Sequence, residues 1–139
     1  MKRIAYAFLF ILVTVSAPAF AGNADIQAAQ TVIDGQIKAF LANDDQTAYG
    51  YASLRLQEIF PTVGAFMNMV ERAYQPVWRP RSYAFGDAKE PAPGSVVQHV
   101  MVVGPDGKDY EAVYTLEKQP DGRFLITSVS LKATGAVST

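Results

Sequence analysis

The chain has 139 residues, half of them hydrophobic, with twelve basic residues against thirteen acidic ones, one histidine and no cysteine. A near balance of charge without any Lys/Arg run excludes the electrostatic footprint of a nucleic-acid binder. The missing thiols exclude disulfides, thiolate catalysis, cysteine-based zinc sites and a lipid-modified N-terminal cysteine.

Lys2 and Arg3 open the chain, residues 4–13 are almost wholly apolar, and Ala19-Phe20-Ala21 follows Pro18. This is the three-part pattern of a secretory signal, and it predicts cleavage after Ala21. The apolar run ahead of Pro18 is short for a membrane span, which needs about 20 residues. Residues 1–21 are therefore read as a leader, and residues 22–139 as a single domain with its core at about 25–131. The leader takes Lys2 and Arg3 with it, so ten basic residues face thirteen acidic ones, a net charge of −3. No membrane association is expected after cleavage. A cysteine-free exported domain of this size fits a bacterial periplasm or the secreted medium.

The first half reads helical. In residues 24–45, Ile26, Ala29, Ile33, Ile37, Phe40 and Leu41 fall at helical spacing. Asn23 or Asp25 suits the N-cap, Asn43 suits a left-handed C-terminal residue, and Gly35 offers either a close approach or a tolerated defect. Asp44 or Asp45 suits the cap of a short second helix carrying Ala48, Tyr49, Tyr51 and Ala52. Residues 54–60 add a further turn or two before Pro61. Thr62 suits the cap of a helix whose buried stripe is Val63, Phe66, Met67, Val70 and Tyr74. Pro76 is expected to stop it, and Pro80 to keep Arg79 extended, so that residues 75–80 bridge helix to sheet as a rigid extended segment.

The second half reads as strands. Residues 82–90 alternate weakly, and Pro93-Gly94 is turn chemistry. Residues 95–103 are apolar on both faces, which leaves the inward face undecided. Asp106-Gly107 marks a hairpin tip. In the next strand Tyr110, Ala112, Tyr114 and Leu116 share one face, while Glu111, Thr115 and Glu117 share the other with Val113. Residues 119–123 make a second hairpin turn. In the last strand Phe124 and Ile126 keep one phase and Val129 and Leu131 the other, so a β-bulge is expected near Thr127-Ser128. Helices followed by a four-strand antiparallel meander define an α+β fold. A bent sheet around a long helix would make a cone with an open mouth.

The segments "IDGQIKAFLANDDQTAYGYAS", "LQEIF", "FMNMVERAYQPVWRP" and "DGKDYEAVYTLEKQPDGRFLITSV", in that order, resemble DUF4864, a bacterial domain-of-unknown-function family. The resemblance covers about residues 26–131, and "YQPVWRP" is its most specific part. The family is similar to the nuclear transport factor 2-like, or SnoaL-like, superfamily. That resemblance implies a cone-shaped fold of N-terminal helices on a curved four-stranded sheet, and it implies no particular activity.

The resemblance and the aromatic content lead to one main expectation. The domain is a non-catalytic module that binds a small apolar or amphipathic molecule in its cone, or that pairs through its sheet as a homodimer. Tyr49, Tyr51, Phe66, Tyr74, Trp78, Arg79, Tyr110 and Tyr114 are the candidate cone-lining residues, apolar bodies with a few polar tips. The alternative is an isomerase, dehydratase or cyclase, with His99 or a tyrosine moving the proton. His99 shares a strand phase with Val97, Met101 and Val103, and one histidine alone makes no histidine-based metal site. No serine has a nucleophile elbow, no glycine loop cradles a phosphate, and residues 104–109 lack the ligand spacing of a calcium loop. Neither a cofactor nor a metal is expected.

Overall fold

The computed structural model describes residues 19–135, and side chains from residue 24 onward. Most of the predicted leader lies outside the described residues. Five helices come first: α1 (Ala19–Leu41), α2 (Asp45–Gly50), α3 (Leu54–Ile59), α4 (Val63–Ala73) and α5 (Gln75–Trp78). Four strands follow: β1 (Ser82–Ala92), β2 (Ser95–Val103), β3 (Asp109–Lys118) and β4 (Phe124–Ala133). They form one antiparallel sheet in chain order, with the helices packed against it. The architecture is α+β.

The helix boundaries follow local chemistry. Asp44, Ser53 and Thr62 each accept a hydrogen bond from a backbone N–H at the start of α2, α3 and α4. Asn43 takes φ 55° after α1. Asp44 N–H reaches back to Ala39 O at 2.9 Å and Asn43 N–H to Phe40 O at 3.1 Å, the paired bonds of a Schellman ending. The start of α1 differs from expectation. It runs from Ala19, which puts Asn23 and Asp25 inside the helix; Ala19, Ala21 and Ala24 favour helix, and Gly22 between them is tolerated. Leu41 is 45 % exposed, since it lies one residue past Phe40 and off the buried stripe.

The bridge from helix to sheet also differs. Residues 75–78 form a helical turn, not an extended segment, because Pro76 sits in its first turn, where a missing N–H costs nothing. Arg79 leaves the helix at φ −135°, stacks its guanidinium 4.2 Å from the Trp78 ring centroid, and donates to Phe40 O and Asn43 Oδ1. Its partner is thus the carbonyl end of α1 and not an acid. A cation there adds a second donor to a carbonyl already bonded to Asn43 N–H and complements the helix dipole.

Two cores result. Ala29, Ile33 and Ile37 of α1 pack on Val96, Val100, Tyr114, Leu116, Phe124 and Ile126 of the sheet. Phe40, Ala48, Phe66, Met67 and Val70 make a second core among the helices. Gly35 serves the close approach: a Cβ there would stand 2.6 Å from the Tyr51 hydroxyl oxygen. The Tyr83 hydroxyl donates to Asp34, which also pairs with Lys38 at 2.7 Å. Lys38 and then Tyr83 hold the Asp34 carboxyl below its ordinary range, while burial and Asp34 push Tyr83 up to about 12.

The predicted bulge is present. Thr115 pairs with Ser128 but Leu116 with Ile126, so Thr127 is the extra residue. Next to it the α2–α3 linker joins the sheet edge, with Ser53 N–H to Ile126 O at 2.8 Å and Ile126 N–H to Tyr51 O at 2.9 Å. A second irregularity lies at Gly86–Asp87 of β1. The fully buried Gln98 covers it. Its Nε2 donates to Gly86 O at 3.0 Å, Asp87 O at 3.3 Å and His99 O at 2.8 Å, and its Oε1 accepts from Gln30 at 2.9 Å. Gln98 thereby decides the inward face of β2: Val96, Gln98, Val100 and Val102 are buried. Replacing it orphans the carbonyls of the irregular strand. Gln98→Leu should therefore lose about 1–3 kcal/mol of stability in urea unfolding, and an unchanged midpoint would contradict the role assigned to Gln98.

Candidate functional site

The two cores meet without filling the space between them. A half-open cavity of about 350 Å³ remains. Tyr114 and Ile126 of the sheet form its inner wall. Phe66, Met69, Val70 and Ala73 of α4 form one side, Leu56 and Phe60 another, and Gln36 and Phe40 bring in α1. Tyr74 and Val77 close it near α5, and the bulged run Thr127, Ser128 and Val129 edges it on β4. No Asp, Glu, His, Lys or Arg lines it among the described residues. The volume falls at the low end of the roughly 300–1,000 Å³ of ligand sites, and a mainly apolar lining with few polar groups is typical of them.

Most polar groups of the wall are already engaged. Gln36 Nε2 donates to Ala48 O at 3.1 Å, the Tyr74 hydroxyl to Val129 O at 3.0 Å, and Thr127 Oγ1 to Thr115 O at 3.1 Å. Tyr114 is the exception. It is fully buried, and its hydroxyl has no hydrogen-bonding partner. An unmet buried polar group costs about 1–3 kcal/mol. Burial, and then the neighbouring Tyr83 and Tyr74, raise its ionisation well above the usual tyrosine range. The hydroxyl keeps its proton and stands as a hydrogen-bond donor.

Of the eight residues expected to line a cone, the cavity gathers Phe66, Tyr74 and Tyr114. Tyr49 lies behind Phe66, ring centroids 5.3 Å apart, and its hydroxyl donates to Phe60 O at 2.6 Å. Tyr51 covers Gly35. Trp78 is half-buried beside the helical core, under Arg79. Tyr110 turns to the hairpin, where its hydroxyl donates to Asp106 at 2.6 Å. His99 lies on the opposite sheet face from the helices, 3.1 Å from Glu111, with Lys132 at 3.4 Å from the same carboxylate. Hydrogen bonding from His99, reinforced by Lys132, holds the Glu111 carboxyl below its ordinary range. His99 is therefore placed away from the cavity.

Sequence reasoning missed Gln36, Leu56, Phe60, Val77, Ile126 and Val129 as cavity residues. Strand phase marked only Ile126 and Val129 among them, and periodicity does not say where two packed faces fail to meet. The one available signal was the bulge, which turns Val129 to the same side as Ile126.

These features describe an α+β domain with an apolar cavity between its helices and the edge of its sheet. The model of the family described as Domain of unknown function (DUF4864) matches residues 22–138, and the chain belongs to that family. Comparison with curated proteins gives no match, and comparison with solved structures gives none either. No helix among the described residues is long and apolar enough to cross a membrane.

Proposed function

We propose that this domain is an exported, non-catalytic module of the nuclear transport factor 2-like kind that binds a small apolar or amphipathic molecule between its two cores. The observation that carries the reading is the half-open cavity of about 350 Å³ walled by Phe66, Val70, Ile126 and Tyr114. A well-packed interior leaves few voids larger than a water molecule. An apolar space of this size that opens to solvent is one that a ligand's burial would stabilise. Proton transfer needs a base within reach of the substrate. The lining supplies no carboxylate or imidazole among the described residues, which favours binding over the isomerase-type alternative.

Export is supported by Lys2 and Arg3, the apolar run of residues 4–13 and the Ala19-Phe20-Ala21 ending. Intact-mass measurement of protein recovered outside the cytoplasm should give a chain starting at Gly22. Recovery only of the full-length chain would overturn this part.

The binding reading is tested by thermal shift with neutral apolar molecules of about ten non-hydrogen atoms, for a cavity at the small end of the ligand range. Several should raise the Tm of the wild type. Val129→Phe, placed to fill the cavity from β4, should keep the circular dichroism of the wild type and lose those shifts. No shift with any compound, or equal shifts in the variant, would overturn it.

A further inference from the structure

The cavity wall carries no charged side chain among the described residues, so the polar half of an amphipathic ligand has to lie outside it. Of the lining residues, Ala73 and Ser128 are exposed, and the mouth is where they stand. On the β4 side of that mouth the sheet edge is tied to the α2–α3 linker at Ile126 and to Tyr74 at Val129. Thr127 and Ser128 lie between the two ties. The same two residues line a second hollow, a groove of about 440 Å³ between α3 and the end of β3. The bulge therefore makes the cavity and the groove neighbours.

The groove differs from the cavity in its chemistry. It holds one cation, Arg55, and one carboxylate, Glu117. Among the described residues neither side chain has an ionic partner, whereas the nearby Lys118 pairs with Asp25 and Arg123 with Asp121. Leu54 and Ile59, also in the groove wall, are 68 % and 61 % exposed.

We infer that the ligand is a single-chain zwitterionic amphiphile. Its chain lies in the cavity and crosses the sheet edge at Thr127 and Ser128. Its head lies in the groove, with the anionic group on Arg55 and the cationic group by Glu117. Two unpaired charges of opposite sign in one groove are what a zwitterion complements. A wholly anionic head meets repulsion from Glu117, and a wholly cationic one from Arg55. The guanidinium fork suits a phosphate or carboxylate. Burial of the chain along Phe66 and Val70 supplies most of the affinity, and the head supplies the selectivity. Leu54 and Ile59 give the part of the chain outside the cavity an apolar rim to cover.

This inference rests on the cavity being the binding site, and the test separates the two. Decylphosphocholine, decyl sulfate, decyltrimethylammonium and decanol are compared by calorimetry at low salt, each below its micelle-forming concentration. The wild type should bind decylphosphocholine about three- to tenfold more tightly than decanol, the range for two exposed ion pairs, and more tightly than either singly charged compound. Arg55→Gln and Glu117→Gln, both at exposed positions, should each reduce that preference and leave decanol binding unchanged. High salt should reduce it too. Equal affinity for decylphosphocholine and decanol, tighter binding of decyl sulfate or decyltrimethylammonium, or a preference that survives in both variants would overturn the inference and leave the cavity reading standing. Binding of none of the four would overturn both.

Discussion

The structure depends on one extra residue in its last strand. Thr127 interrupts the pairing of β3 with β4, so Phe124 and Ile126 face the core before it and Val129 and Leu131 after it. Without the bulge a one-residue register would turn one of these pairs into solvent. The bulge also bends the strand away from its partner. The free edge of β4 is then held at two points. The linker Tyr51–Ser53 bonds to Ile126 on one side of the bulge, and the Tyr74 hydroxyl bonds to Val129 on the other. Between those points α3 and α4 cannot close on the sheet, and the cavity is what separates them.

The cavity is also where the energetics are least satisfied. Except for the Tyr114 hydroxyl, every buried side-chain nitrogen and oxygen among the described residues has a partner: Gln98 covers the irregular stretch of β1, and Arg79 takes the carbonyl end of α1. An interior that resolves such awkward backbone features leaves Tyr114 as an outlier among the described residues. A phenylalanine would fill the same volume without an orphan hydroxyl.

Much of this fold was legible in the sequence. The stripe of Ala29, Ile33 and Ile37, the caps Asp44 and Thr62, the left-handed Asn43, the hairpin at Gly107 and the bulge itself follow from periodicity and turn chemistry. What was not legible depends on tertiary partners. Pro76 reads as a stop, yet a proline in the first turn begins α5 as readily as it ends α4. Arg79 bonds to a carbonyl at residue 40, which no local pattern reveals. Val97, His99 and Met101 in one phase compete with Val96, Val100 and Val102 in the other, and the apolar count alone does not choose. The buried Gln98 and the exposed Met101 settle it only once the α1 contact is known. Of the site, the aromatic residues were visible and their convergence was not. Tyr110 and Tyr114 share a face but part company along the strand, one at a hairpin and the other against the cavity.

The central claim is that the space between α4 and the bulged edge of β4 is where this domain meets its ligand. Chemical-shift mapping of the isotope-labelled protein during titration with methyl heptyl ketone tests it most directly. The account predicts saturable shifts at Phe66, Val70, Tyr114, Ile126 and Val129, residues that line the cavity. Shifts confined to Val97, His99 and Met101 on the opposite face of the sheet would contradict it.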